Sequence, residues 1–392
     1  MKRLMVKNSV FLLLVAGLIW TASANAVPSF ARKYDMNCSG CHTAYPQLNS
    51  IGREFKETGY RFATDSAKGV NQEISDFLQL EKHVPMSGIL ISRPYDKKDS
   101  GDAKVRAIHE VEIILAGNIA KNWSGFFEME AEDENDFEPE IGPAVLTYNH
   151  NQAFNVQAGW SPIFWADAYG ILVDHFRLTR GHLGAIDQSF GGADGDSSLR
   201  ALRQNIGVFG RVGAGRVFYN VNWSGDAKDA EGENASTISA LVDFDITPNI
   251  MVGAFGMSGE NENTGAGMAK RDYSRAGVQF QADVADARIQ AIFVTASDDL
   301  ASGIGDEDND AFSIQGFWTF TDDTLRPTWV PLIRYDSYET NDGNDDFNEL
   351  TFNLTYYFNQ NIRAYVEYWD RFDAPTSAQE DDRLTLQIIA AF

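Results

Sequence analysis

Asp381-Asp382-Arg383-Leu384-Thr385-Leu386-Gln387-Ile388-Ile389-Ala390-Ala391-Phe392 is the stretch whose reading decides the fold. Leu384, Leu386, Ile388, Ala390 and Phe392 fall on one face, and Arg383, Thr385 and Gln387 on the other, the period of two that an extended strand imposes. Such a strand needs an apolar medium on one side and polar groups on the other. The same alternation recurs upstream. Leu350, Phe352, Leu354, Tyr356 and Phe358 oppose Glu349, Thr351, Asn353 and Thr355. Ile362, Ala364, Val366 and Tyr368 oppose Arg363 and Glu367, and Phe312, Ile314 and Trp318 oppose Ser313, Gln315 and Thr319. From about Val84 onward, segments of roughly ten residues alternate in this way between turn residues, the signature of a transmembrane antiparallel β-barrel with lipid outside and a polar lumen.

The connections fall into two classes. Short ones lie at Ala120-Asn122, Asn149-Gln152, Val212-Gly215, Thr247-Asn249, Asp283-Asp286, Thr321-Thr324 and Asn359-Asn361. Long ones lie at Pro94-Ala103, Glu132-Glu140, Pro162-Arg203, Gly225-Asn234, Gly259-Asp272, Asp298-Asn309, Tyr338-Phe347 and Asp370-Asp382. Barrels of this kind keep short turns on the periplasmic side and long loops outside, so the eight long segments are expected as outer loops and the strand count as about sixteen. A β-sandwich or a propeller would also alternate. The two loop classes, the aromatic residues at strand ends (Trp123, Tyr219, Trp223, Tyr273, Tyr357, Trp369) and the lack of a blade-length repeat argue against both. The terminal Phe392 also resembles the signal by which the bacterial outer-membrane assembly machinery recognises its substrates.

Within the 392 residues the formal net charge is −24. No apolar stretch is long enough for a membrane-spanning helix. Lys2, Arg3 and Lys7 precede the apolar run Val10 to Trp20 and the small-residue site Ala24-Asn25-Ala26, so residues 1–26 read as a signal peptide and Val27 as the first residue of an exported chain. Nothing points to nucleic acid, since no Lys/Arg cluster is present.

The only two cysteines stand in Cys38-Ser39-Gly40-Cys41-His42, the attachment signature of a c-type haem. Two thiols two residues apart reach the two vinyl groups, and the adjacent His42 reaches the iron as proximal ligand. A thioredoxin-like pair or half of a zinc site shares the Cys-x-x-Cys spacing, but zinc would require further ligands of the same kind. One covalent haem c is therefore expected on residues 27–82, a small α-helical cytochrome segment before the barrel of residues 83–392. About 55 residues make a poor self-sufficient core, so the segment is expected to lean on the barrel or plug its lumen. For the distal ligand the candidates are Met86 and His83, which precede or begin the first strand. Met36 lies too close to Cys38, and His109 shares a face with Val111, Ile113 and Leu115 that is expected to meet lipid.

Acidic runs crowd the expected outer loops: Glu132-Asp133-Glu134, Asp136, Glu138 and Glu140; Asp226, Asp229, Glu231 and Glu233; Asp306-Glu307-Asp308 and Asp310. Hard oxygen donors suit divalent cations, while a surface that is merely solvated or bridges lipid through Ca(II) or Mg(II) would look the same.

Ala26-Val27-Pro28-Ser29-Phe30-Ala31-Arg32, the Cys-x-x-Cys-His motif, Pro46, Leu48, Gly52-Arg53, Phe55-Lys56 and Gly59-Tyr60 together resemble the N-terminus of the fused monohaem cytochrome–porins. The resemblance covers roughly residues 26 to 62. Lys33-Tyr34-Asp35 depart from it, standing where the family usually carries Gln-Thr-Gly. It implies an outer-membrane oxidoreductase that takes electrons from extracellular Fe(II) and passes them to a periplasmic soluble cytochrome. Two other functions fit the residues: an outward conduit to extracellular acceptors, and a transport porin whose haem is a plug or sensor.

Overall fold

The computed structural model describes residues 29–62, 71–73, 79–81, 84–175, 177–190, 198–225, 236–261, 271–300, 305–376, 378 and 380–392. The expected signal peptide, the candidate ligand His83 and the acidic run Asp226 to Glu233 lie outside the described residues.

Sixteen antiparallel strands close into a barrel. They are β1 Met86–Lys98, β2 Lys104–Ala120, β3 Trp123–Glu132, β4 Glu140–Asn151, β5 Phe154–Pro162, β6 Leu202–Val212, β7 Val217–Gly225 and β8 Ser236–Thr247. There follow β9 Ile250–Asn261, β10 Arg271–Val284, β11 Ala287–Asp299, β12 Asp306–Trp318 with its continuation Phe320–Thr321, β13 Pro327–Thr340, β14 Asp345–Tyr357, β15 Ile362–Asp373 and β16 Asp381–Ala391. Closure is made by β16 on β1, where Ile389 pairs with Ile91 and Ala391 with Ile89. Phe392 seals the seam through reciprocal backbone bonds with Gly88 of 2.8 and 2.9 Å. The closed barrel leaves no strand edge of its own to pair with another chain or to face hydrocarbon unpaired.

The alternation does what a bilayer demands. Along β16, Leu384 and Ile388 are exposed on the outer wall, while Thr385, Gln387 and Ile389 are buried toward the lumen. Val242, Val278, Ile333 and Val366 continue the outer apolar surface, and Trp123, Phe154, Trp318, Phe320, Trp329 and Phe358 are exposed near the short turns. Tyr273, Tyr357 and Trp369 do not join this girdle: each is buried on the lumen face, because residue parity along the strand outranks position at its end. The acidic residues Asp306 to Asp310 lie within β12, and β13 and β14 are joined across residues 341–344 alone, so these strands run beyond the loops expected there. Among the described residues no helix is long and apolar enough to cross a membrane; the strands make the crossing.

One of the long segments is not an outer loop. Residues 163–175, 177–190 and 198–201 fold back into the lumen, where Ile163, Phe164, Ile171, Leu172, Leu183, Ile186 and Leu199 are buried against Leu241, Met251, Phe255, Ile292 and Val294. The lumen wall of β8 to β11 is thus apolar where this segment covers it, a departure from the polar lumen expected for a water-filled barrel. Its polar backbone is met in turn: the Gly184 amide donates to Asp336 (2.8 Å), the Ala185 amide to Ser313 (3.0 Å), and the Arg180 amide to Glu367 (2.8 Å). A side chain at Gly184 would lie 2.9 Å from the Asp336 Cβ, so only glycine lets the segment approach the wall this closely.

Residues 29–62 enter the barrel at the short-turn end. They form helix α1 (Ser29–Tyr34), a turn at Cys38–Gly40, a two-pair ladder of His42 with Leu48 and Ala44 with Gln47, and helix α2 (Ser50–Glu57). Asn49 caps α2 by accepting from the Gly52 amide at 3.0 Å.

Candidate functional site

The cysteine segment is fixed to the barrel from several sides. The Cys38 amide donates to the Gln360 side chain (2.9 Å), and the Tyr357 hydroxyl and Arg363 guanidinium both donate to the Tyr45 carbonyl (2.6 and 3.1 Å). Arg288 donates to Gln47 and Thr43, each at 3.1 Å, while holding Asp283 through two bonds of 2.6 and 3.0 Å. Farther along, Glu57 takes a bidentate pair from Arg211 (2.5 and 2.8 Å). α2 also reaches the inward segment: Lys56 donates to the carbonyls of Trp165 and Asp167, both at 2.7 Å, and Arg53 stacks 4.4 Å above the Tyr169 ring. Plug and inward segment therefore form one continuous interior.

Between them and the β1–β3 wall lies a cavity of about 300 Å³. Cys38, Cys41, His42 and Met36 line it, with Phe30, Tyr34, Phe55, Tyr60 and Phe62 as its aromatic side. Phe55 anchors that side, with Phe30, Tyr34 and Phe62 at 5.0, 5.5 and 4.8 Å between ring centres. The turn Cys38–Gly40 brings both sulfurs to the same space, and both are free thiols. Burial pushes the Cys38 thiol up to about 11, so it remains protonated at neutral pH rather than acting as a thiolate nucleophile. Gly52 carries the packing of α2 onto this turn, since a Cβ there would meet the Cys41 carbonyl oxygen at 2.1 Å.

His42 keeps one ring nitrogen free to accept. Its Nδ1 lies 2.9 Å from the Pro46 carbonyl oxygen, which can only accept, so Nδ1 carries the proton and Nε2 keeps its lone pair. Burial lowers its pKa to about 4, so the imidazole is neutral at physiological pH. Two thiols, a neutral imidazole of fixed tautomer and an aromatic lining suit the chemistry of a covalent haem c.

The distal candidates fare differently. Met86 is exposed on the outer wall opposite Leu115, on the lipid face, and does not reach the cavity. Its parity as the first residue of β1 turns it outward. His109 is also misplaced by simple parity, in the opposite sense: it is buried, because β2 carries two extra residues between the pairs Glu110–Ile91 and Arg106–Arg93. His175 was hidden from sequence reasoning by its place in a segment read as an outer loop. It lines the cavity, packed at 4.9 Å from the Trp165 ring, and burial holds its pKa near 3. The apolar runs Ile163-Phe164-Trp165 and Ile171-Leu172-Val173, out of place on a wet loop, are the signal that would have found it.

The rest of the wall mixes apolar residues such as Ile89, Ile91, Ile114 and Phe126 with polar and charged ones. Glu110, Glu112, Glu128 and Glu130 come from β2 and β3, and Arg177, Thr179 and Arg180 face them from the inward segment.

No protein-family model and no curated protein matches the sequence. Among solved structures, the chain is similar to OmpT, an outer-membrane protein of Vibrio cholerae (TM-score 0.58, 13% identity, 82% of this chain and 100% of that one). It is also similar to an anion-selective porin from Comamonas acidovorans (TM-score 0.59, 14% identity, 78% and 98%) and to OmpF of Salmonella typhi (TM-score 0.59, 14% identity, 79% and 98%). At these identities the likeness is one of fold: the chain is a sixteen-stranded barrel of the outer-membrane porin type.

Proposed function

We propose that the chain is an outer-membrane electron-transfer protein, with one haem c held inside a porin-type barrel, that oxidises extracellular Fe(II) and hands the electrons to a periplasmic soluble cytochrome. The observation that carries this reading is the common cavity of Cys38, Cys41 and His42, seated within the lumen and walled by aromatic rings. Cys38 and Cys41 would hold the haem covalently and His42 would ligate its iron. When bound, the haem supplies a one-electron Fe(III)/Fe(II) couple.

The chain's own residues do the rest. Pro46 orients His42, Arg288 and Arg363 clamp the loop that carries it, and Phe30, Tyr34 and Phe55 present an apolar wall that excludes water. Position inside the barrel answers a need of distance. The apolar band of such a barrel is about 25 Å tall, and tunnelling falls off steeply with distance, so a redox group within the lumen lies closer to a donor outside than one in the periplasm. Electron flow in the opposite direction would use the same residues. A transport-porin reading draws on the likeness to porins, but the plug and the inward segment oppose solute flow.

The test is stopped-flow absorbance of the purified, detergent-held oxidised protein mixed with Fe(II), with Cys38→Ser as the control lacking one attachment thiol. Rapid appearance of reduced haem bands near neutral pH is the expected result. Reduction by dithionite but not by Fe(II) would overturn the oxidase reading.

A further inference from the structure

β2 and β3 place carboxylates against one another in a way that sheets ordinarily avoid. Glu110 is the direct ladder partner of Glu132, and Glu112 of Glu130, with Glu128 one pair farther toward the plug opposite Ile114. Like charges paired across a ladder repel. The guanidiniums around them, Arg93, Arg177 and Arg180 in the cavity lining and Arg106 beside His109, are fewer than the five carboxylates. Glu128 is 6% exposed, and its Oε2 has no hydrogen-bond partner, with His175 Nε2 3.7 Å away.

At the long-loop end of this stack the two extra residues of β2 turn His109 inward beside Glu110. Ligand atoms of His109, Glu110 and Glu132 all lie within 4.8 Å of one another. His109 Nδ1 stands 2.7 Å from Asp133 Oδ1 and 3.1 Å from Arg106 Nη1, which also holds that carboxylate at 3.2 Å. A carboxylate on one ring nitrogen is the arrangement that orients a ligating imidazole. One imidazole with two carboxylates suits a divalent transition cation, whereas Ca(II) and Mg(II) favour all-oxygen sets.

We infer that His109, Glu110 and Glu132 form a binding site for a divalent transition-metal cation on the lumen wall, and that Glu130, Glu112 and Glu128 continue it as a carboxylate track into the cavity shared with His42. The identity of the cation as Fe(II) rests on the proposed oxidase function; the site itself does not. Glu110 belongs both to the cluster and to the cavity lining, which is what joins the two.

Mn(II), redox-silent here, is the probe: electron paramagnetic resonance counts free Mn(II) during titration of the detergent-held holoprotein. Wild type is expected to take up one tightly bound Mn(II) that excess Mg(II) does not displace. Glu110→Gln combined with Glu132→Gln is expected to weaken that binding at least roughly tenfold, and Asp133→Asn to weaken it by about tenfold through the imidazole alone. Haem bands and the heat-modifiable gel shift of the barrel report that each variant is folded. Absence of Mn(II) uptake by wild type, full displacement by Mg(II), unchanged affinity in the folded Glu110/Glu132 variant, or an equal loss in Glu138→Gln with Glu140→Gln would overturn the site. Intact Mn(II) binding in a protein whose haem Fe(II) fails to reduce would uphold the site and remove only the oxidase reading.

Discussion

Arg288 concentrates the physics of the plug in one side chain. It is 1% exposed, neutralises Asp283 through two hydrogen bonds, and donates further to Gln47 and Thr43, which bound the turn that follows His42. A guanidinium suits this post because its planar fork serves three partners at fixed angles. Arg288→Ala leaves Asp283 with the more distant Arg53 (3.8 Å) and Gln281 (3.5 Å) and strips the plug of two bonds. The expected cost to plug seating is about 3 kcal/mol, that of two hydrogen bonds donated by a charged group. Proteinase digestion in detergent is expected to release residues 29–62 far faster from the variant while the barrel keeps its gel shift; equal rates would show that the clamp does not hold the plug. At this scale the grouping of Cys38, Cys41 and His42 around one cavity was legible because the three stand within five residues of one another. His109 and His175 were not, since one depends on two extra residues in a strand and the other on where a long connection goes.

The inward segment is an element whose composition and position agree only once the lumen is seen as apolar on one side. Phe164 and Leu172 are fully buried against strands that carry Leu241, Phe255 and Ile292 at lumen parity, so the segment is held as a hydrophobic core is held. Alternation along β8 to β11 revealed the strands, but it could not reveal this partner, because both faces of those strands are partly apolar. Within the segment Asp174 works against seating. Burial raises its pKa from 3.8 to about 6, opposed by Arg177 and Arg334, although its carboxylate accepts the Leu183 amide at 3.0 Å. A carboxyl whose pKa is raised in the folded state keeps a proton that the open segment has already released. Seating therefore weakens as pH climbs from about 4 to about 6 and stays weaker above, by on the order of 3 kcal/mol. Asp174→Asn keeps an acceptor for Leu183 and cannot ionise. Thermal transitions followed by tryptophan fluorescence are expected to fall over that window in wild type and to stay flat in the variant, which is the more stable of the two near neutrality. Parallel curves would assign the pH dependence to another group.

For the molecule as a whole, the count of sixteen strands and the two classes of connection were legible from alternation and turn residues, because a bilayer leaves a strand few other solutions. What fills the barrel was legible only as a need: a segment too small for its own core had to lean on something. In the structure it leans on nearly the full circumference of the short-turn end, from Ser87 of β1 and Asn118 of β2 through Arg211 of β6 and Arg288 of β11 to Arg363 of β15. A sixteen-stranded barrel otherwise leaves an aqueous channel. The inward segment covers the β8–β11 side, so the plug is what closes the passage along β1–β3, where the glutamates stand. Planar-bilayer recordings of the intact protein are accordingly expected to show little conductance, and deletion of residues 29–62 to open a steady pore. That pore is expected to select cations, since Glu110, Glu112, Glu128, Glu130 and Glu132 outnumber Arg93, Arg177 and Arg180 along its narrow side, and an excess of charge of one sign in a constricted, poorly screened passage raises the local concentration of counter-ions. A salt gradient across the bilayer reads the preference as a reversal potential, and Glu112→Gln with Glu130→Gln is expected to shrink it. A deletion that conducts no better than the intact chain would mean that the inward segment alone closes the lumen, and an anion-selective pore would mean that the arginines, not the glutamates, set the field along this wall.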